Sequence, residues 1–412
     1  MATFEQLYRR LVKSSLHGAD RNTYWDDCDP TQLDCLLNPR KYPVIWRLED
    51  CDCDVKEQEN CTARCPFDAM KAKEGDGISI DPNQCVGCNI CVDACKYKNL
   101  TSSKDIMPVL QALDSHEGHV YALVAPAFLG QFSQAVTPGK LRSALKKIGF
   151  EGMLEVALFA DILTLKEALE FDHNITTESD YQLTSCCCPM WIAMIRKVYH
   201  ELMPHVPGSV SPMVASGRTI KTLYPNSKTV FIGPCMAKKA EAREKDVADA
   251  VDFVLTFQEV HDIFEALEVN PSDMEDDDRE NTSRAGRIYA RAGGVSEAVS
   301  DTLKYLNPNR DIRIRTKYAD GVPGCRAMLN ELIGGKYEAN FYEGMGCIGG
   351  CVGGPKAMIN KEEGCENVNR FGDEALYQTP IENPYVLKLL EQLGFDTVEK
   401  LLENSDIFTR AF

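Results

Sequence analysis

Two cysteine runs ahead of residue 96 carry the spacing of iron–sulfur ligands, and beyond residue 110 short apolar runs alternate with amphipathic stretches. Together they predict an α/β domain of two lobes with mostly parallel sheets, preceded by a small α+β domain of the bacterial ferredoxin type. The chain's 412 residues suit two or three domains, and 44% hydrophobic residues suffice for sizeable cores. The expected division is an N-terminal extension at 1–45, a cysteine-rich ferredoxin-like domain at 46–110 and a catalytic α/β domain at 111–412.

Residues 1–45 open as a helix (FEQLYRRLVKSSL) and continue as loop (DDCDPTQLDC). Cys28 and Cys35 lack partners at ligand spacing and are read as free structural thiols in preference to an extra metal site. In "CVGCNICVDACKYKN", Cys85, Cys88, Cys91 and Cys95 follow C-x2-C-x2-C-x3-C, in which three thiolates wrap one iron–sulfur cube and the fourth serves a second. The second run stands upstream in "CDCDVKEQENCTARCPFDAM", where Cys51, Cys53, Cys61 and Cys65 read C-x-C-x7-C-x3-C-P with an acidic insertion. Cys51, Cys53, Cys61 and Cys95 are therefore assigned to one [4Fe-4S] cluster, and Cys85, Cys88, Cys91 and Cys65 to the other. Structural zinc would be served by C-x2-C pairs, but the tight triple spacing favours iron–sulfur.

Further along, "HVYALVAPAFL" reads as a strand ending at Pro126, and "TPGKLRSALKKIGF" as a helix between Pro138 and Gly149. "MLEVALFADI" reads as a strand, "TLKEALEF" as a helix and "KTVFIGPC" as a strand entering a ligand-bearing loop. The polar stretch 272–284 (SDMEDDDRENTSR) is expected to be a solvated loop between the lobes.

Composition excludes some partners. The first twenty residues hold no continuous apolar core and no later run nears the ~20 residues a spanning helix needs, so neither secretion nor a membrane is expected. In a reducing cytoplasm, 18 cysteines point to metal ligands or catalysts. A net charge of -17 argues against nucleic acid and suits a small redox partner with a basic patch.

Three later stretches belong together: "TSCCCPMW", "FIGPCMAKKAEA" and "YEGMGCIGGCVGGP". With them the sequence resembles the [FeFe] hydrogenases, whose catalytic domain carries T-S-C-C-P-x-W, M-P-C-x-x-K-K-x-E and E-x-M-x-C-x-G-G-C-x-x-G-G in this order. The resemblance covers roughly residues 46–395, including the ferredoxin domain, the "APA" strand and the late "ENPYVLKLL" helix. It implies that Cys188, Cys235, Cys347 and Cys351 hold the [4Fe-4S] part of an H-cluster, and that Cys351 bridges to a two-iron subcluster bearing CO, CN and azadithiolate. Soft thiolates select such a centre, and Gly349 and Gly350 are expected to let the backbone approach it. Lys238 matches the lysine that donates to a cyanide, within a run completed by Glu241, and Met345 matches a methionine packed on the two-iron site or is ordinary core.

The resemblance also implies a proton relay. Counting back from Pro189, Cys188 is the ligand and Cys187 the proton carrier, with Cys186 where serine is usual; counting forward from Thr184 would put the roles on Cys187 and Cys186. The proline register is preferred, because Glu167 and Glu170 then keep the family's spacing for two acidic relay residues on one helix face. The alternative for this pair is a solvated face. Several positions depart from the family. Pro207 and Gly208 stand in the relay-serine stretch, Met213 in place of a glutamine, Gly233 in place of a methionine, and Ile348 where proline is common. The departures and the triple cysteine resemble the sensory branch of the family and imply low turnover. The activity implied is H2 ⇌ 2H+ + 2e-, with a hydrogen- or redox-sensing role.

The partners implied are H2, protons, a ferredoxin-like redox protein and hydrogenase maturation proteins. Without a recognisable PAS or kinase stretch, sensing would need a separate signalling protein. The alternative is a hydrogenase-like iron–sulfur protein without the two-iron centre, acting in cluster assembly or electron transfer. No role beyond packing is assigned to Cys325 or Cys365.

Overall fold

A computed structural model describes residues 2–16, 27–51, 53–73, 77–115, 118–185 and 187–411. Its strands in chain order are β1 (Ile45–Arg47), β2 (Met70–Lys73), β3 (Gly77–Ile80), β4 (Leu100–Ser102), β5 (Val120–Val124), β6 (Gly152–Glu155), β7 (Gln182–Leu183), β8 (Lys228–Gly233), β9 (Phe253–Thr256), β10 (Thr316–Asp320) and β11 (Phe341–Met345). β1 pairs with β4 and β2 with β3, both antiparallel, which frames the small cysteine-rich region. Beyond it stand two parallel sheets, of order β6-β5-β8-β9 and β10-β11-β7. The chain is thus a mixed α/β protein built on parallel sheets, as its strand–helix alternation predicts.

Parallel strands covered on both faces read as continuous apolar runs, and β5 (VYALV) is buried at four of its five positions. Between the sheets runs the helix Ala157–Asn174, with 13 of its 18 residues buried. The strand expected over "MLEVALFADI" stops at Glu155, and the rest of that run is the start of this helix. A helix buried over most of its surface lacks a clear polar stripe, so a short apolar run cannot be told from a strand by period alone.

Two other expectations are corrected. The stretch expected as loop near Cys35 contains the helix Pro30–Leu37, because the Asp29 carboxylate accepts from Gln32 N and Pro30 sits in the first turn. Cys28 and Cys35 lie in the apolar core beside it. The 272–284 stretch is not simply solvated. Asp276 accepts from the Thr137 hydroxyl at 2.8 Å, the Asp277 carbonyl accepts from Arg142, and the buried Ser283 N–H donates to Asp161 at 2.8 Å.

Among the described residues no helix is long and apolar enough to cross a membrane. The N-terminal helix Phe4–Leu16 packs Phe4, Leu7 and Leu11 into the core that also holds β5. Its Tyr8 hydroxyl donates to Asp262 at 2.7 Å.

The second sheet is fixed by a close approach. A Cβ on Gly344 would lie 1.9 Å from the Trp191 ring, so only glycine lets the indole lie on β11 while its Nε1–H donates to the Thr184 carbonyl at 3.3 Å. Gly344→Ala is expected to destabilise the protein by about 1–3 kcal/mol through overpacking. Denaturant unfolding of the cluster-loaded protein checks this, and an unchanged midpoint would mean that Trp191 is not held there.

Candidate metal centres and proton relay

In the small region the eight cysteines fall into two groups. Cys53 has Cys51, Cys61 and Cys95 as charged neighbours, and burial followed by these neighbours pushes its thiol up to about 11. Cys61 is likewise raised by burial, then by Cys95 and Cys51. It is carried on the helix Val55–Ala63, which starts with a reciprocal Asp54–Glu57 capping box. The other group, Cys65, Cys85, Cys88 and Cys91, lines one small cavity together with Phe67 and Met70. Burial pushes Cys88 and Cys91 up to about 12. The grouping brings Cys95 near the upstream run and Cys65 into the cavity of the downstream one.

The third set forms where parallel strands end. Cys235 follows β8, Cys347 and Cys351 follow β11, and Cys188 follows β7 and caps the helix Pro189–Lys197. The Gly346 N–H donates to Cys188 Sγ at 3.3 Å. Cys235, Cys188 and Cys351 are charged neighbours of one another, and burial lifts Cys235 to about 11 and Cys351 to about 12. Cys347 is raised by burial, then by these three cysteines and then by Cys88. The Cys65–Cys85–Cys88–Cys91 set therefore lies next to the third set, with the Cys51 set beyond it.

The donor chemistry fits iron–sulfur cubes. Tetrahedral zinc, with Zn–S near 2.3 Å, would hold thiolates roughly 3.8 Å apart. Among the described residues the one trio of ligand atoms within 4.8 Å of each other is His261, Asp262 and Glu265, and no cysteine trio closes so far. Gly349 and Gly350 both take φ +85°, and a Cβ on Gly350 would strike the Ala292 and Arg291 backbone at 2.6 and 2.8 Å, so Gly350 also serves a backbone crossing there.

Around the third set, Lys238 is buried and donates to Glu241 at 2.6 Å. Burial pulls its pKa down, but Glu241 and the nearby Cys235 and Cys351 outweigh that and raise it. Met345 is buried, and its carbonyl accepts from the Cys325 thiol at 3.4 Å. At Gly233 the direction of a side chain is filled by the Phe231 ring and Ala125. Met213 lies in apolar core, Ile348 is 59% exposed and Cys365 accepts from Asn369.

Cys186 lies outside the described residues; Cys187 is among them. Burial, then Cys188 and Glu167, raise the Cys187 thiol well above its ordinary range. Glu167 and Glu170 are both buried, which overturns the solvated-face alternative. Glu167 Oε1 accepts from the Ser185 N–H at 2.7 Å and from its hydroxyl, while Oε2 is buried with no hydrogen-bond partner in the structure. Burial outweighs both bonds and pushes this carboxyl up to about 7. Glu170 accepts from Lys166 at 2.6 Å. The Ser209 hydroxyl lies 3.5 Å from each Glu170 oxygen, so the stretch with Pro207 and Gly208 does put a serine beside the second glutamate.

Residues 118–355, more than half of the chain, match the family described as iron only hydrogenase large subunit, C-terminal domain. The chain belongs to the [FeFe] hydrogenase family. Residues 78–101 also match the 4Fe-4S binding domain family. Iron hydrogenase 1 of Clostridium pasteurianum is 28% identical over 304 residues, covering 62% of this chain and 53% of that protein. The chain thus spans about half the length of that hydrogenase. Nuclear prelamin A recognition factor of Xenopus laevis is 22% identical, covering 83% of this chain and 91% of its own length. A cytosolic Fe-S cluster assembly factor NAR1 homolog of Schizosaccharomyces japonicus is 21% identical, with 59% and 55% covered. Among solved structures, [FeFe]-hydrogenase HydA1 from Chlamydomonas reinhardtii (variant E144A) superposes with a TM-score of 0.60 at 20% identity, over 74% of this chain and 98% of that one.

Ser185 lies within the "TSCCCPMW" motif with no role of its own assigned from sequence, and Lys166, the i,i+4 partner of Glu170, is buried with it. Glu343, whose carboxylate accepts from the Gly293 and Ser296 N–H groups at 2.9 and 2.7 Å, is pushed by burial to about 7 and stands near Cys187 and Tyr289. Nothing in sequence separates it from an ordinary strand residue.

The crossed sets make a direct prediction. Cys95→Ala is expected to lose the cluster of Cys51, Cys53 and Cys61 and keep that of Cys85, Cys88 and Cys91, with Cys65→Ala doing the reverse. Iron content and electron paramagnetic resonance of the reduced variants distinguish the two, and loss of the same signal in both would rule out the crossing.

Proposed function

We propose that this chain carries out H2 ⇌ 2H+ + 2e- at low turnover, with a hydrogen- or redox-sensing role. Cys188, Cys235, Cys347 and Cys351 would hold the H-cluster, and the other eight cysteines two ferredoxin-type cubes. The observation that carries this is a line of proton-handling groups beside Cys188: the partly buried Cys187, then the buried Glu167 with its unpartnered Oε2, held by Ser185. A protein that only stored or passed electrons would gain nothing from a carboxyl kept in the core near neutrality, where burial opposes its charge.

When bound, the two-iron centre supplies the site of heterolytic H2 cleavage. The chain's own residues do the rest. Cys187 exchanges protons with Glu167, which is protonated below about pH 7 and ionised above it, and so can give or take a proton in the neutral range. Lys238, held by Glu241, supplies a positive donor beside Cys235 and Cys351, suited to an anionic ligand. Electrons would pass through the Cys65–Cys85–Cys88–Cys91 set, the neighbour of Cys347, to the Cys51 set and on to a redox partner with a basic patch. The cytoplasm and maturation proteins follow from the same reading, as do the divisions at 1–45, 46–110 and 111–412.

Burial raises the Glu170 carboxyl although the Lys166 ammonium bonded to it pulls the other way, so this group too can hold a proton. Low turnover rests on the departures at Pro207, Gly208 and Gly233. A second reading, an iron–sulfur assembly or electron-transfer protein without the two-iron centre, is favoured by the likeness to the NAR1 homolog.

Hydrogen–deuterium exchange, read as HD formed from D2 in H2O by protein loaded with all cofactors, tests the proposal and tolerates slow turnover. The wild-type chain is expected to form HD, and Cys187→Ala and Glu167→Gln to keep their clusters but lose at least about tenfold in rate. No HD from the loaded wild type would favour the second reading. Full activity in Cys187→Ala would remove Cys187 from the relay.

A further inference from the structure

An unassigned cavity of about 370 Å³ lies between the N-terminal helix, the segment after β4, the helix Phe257–Ala266 and the loop that follows Cys351. Its volume lies in the range of small-molecule sites. Lys104 and Lys356 both line it. So do three carboxylates, each with a partner of its own, Glu5 on Lys104 itself. Glu5 pairs with Lys104 at 3.3 Å, Glu259 takes both oxygens to Lys239 at 2.9 and 3.0 Å, and Asp262 accepts from Tyr8.

Lys356 is different. Its ammonium has no hydrogen bond or ion pair among the described residues, and Asp93, Glu259 and Glu5 reach it only as longer-range charges. Burial and then the charge of Lys104 lower its pKa, so the chain holds two cations near each other around a partly buried space without a counter-charge for one of them. Folding would not favour that arrangement unless something else neutralised it.

We propose that this cavity is a binding site for a small anion, a phosphate- or carboxylate-bearing molecule held by Lys356 and Lys104. The site is separate from the hydrogen chemistry, but its wall is not remote from it. Met236, the residue after Cys235, lines the cavity at 1% exposure, and the Lys356 N–H donates to the Pro234 carbonyl at 3.0 Å. The anion would therefore press on the two loops that present Cys235 and Cys351, which makes it an effector of the cluster site and not a substrate.

Calorimetric titration of the full chain, loaded with its iron–sulfur cubes only, tests this with inorganic phosphate and citrate as probes. One probe at least is expected to bind saturably at one per chain and to protect backbone amides at 102–104, 234–237 and 355–358 from hydrogen exchange. Which probe saturates identifies the anion as phosphate or carboxylate. Lys356→Gln is expected to weaken binding at least about tenfold, the scale of losing one charge-assisted hydrogen bond. Lys361→Gln, on an exposed salt bridge with Glu362, should leave it unchanged. No saturable binding by either probe, protection elsewhere, or equal affinity in Lys356→Gln would overturn the proposal. Because no two-iron centre is needed, failure here leaves the hydrogen reading intact.

Discussion

Four thiols have to meet at one point from three stretches of chain, 188, 235 and 347–351, and the rest of the architecture follows from that requirement. Parallel strands serve it well, because their carboxyl ends open in one direction and loops leaving β7, β8 and β11 can face each other. The approach is closer than most side chains would allow. Trp191 lies on Gly344, Met190 lies against Gly346, and the Gly346 N–H reaches Cys188 Sγ. Burial raises the thiols of Cys235 and Cys351, so assembly of a cluster there must release protons, and the stability of these loops is coupled to metal.

The buried carboxylates divide by how completely they are satisfied. Asp161 accepts from the Ser283 N–H and hydroxyl, the Gly286 N–H and the Asn383 amide, and thereby ties the 272–284 stretch to the long central helix. Such a group is structural. Glu167, six residues further along the same helix, keeps one oxygen unbonded and stands beside the partly buried Cys187 thiol. An unsatisfied buried acceptor costs about 1–3 kcal/mol, and Glu155 keeps one oxygen unbonded in the same way.

Thiolate spacing carried the assignment of the crossed ferredoxin sets, whereas the third set was implied by the resemblance to the [FeFe] hydrogenases. The parallel sheets were legible from β5 and β8, as buried strands must be apolar throughout. What escaped was set by tertiary surroundings. The Ala157–Asn174 helix began inside an apolar run that has no period to betray it, and the capped turn at Asp29 hid the helix Pro30–Leu37. Ser209 was passed over because Pro207 and Gly208 drew attention to the stretch while the hydroxyl came from the residue after them. Glu343 and Lys356 look like ordinary surface charges until burial is known, and Gly350 serves a backbone crossing that local sequence does not reveal.

The central claim is that the Cys188–Cys235–Cys347–Cys351 cube carries a two-iron centre responsive to hydrogen. The infrared spectrum of the chain, with its iron–sulfur cubes rebuilt and the two-iron cofactor supplied, tests it most directly. Sharp carbonyl and cyanide bands that shift between hydrogen and argon are the predicted result. A spectrum without such bands, from protein in which all three cubes are demonstrably assembled, would contradict the claim.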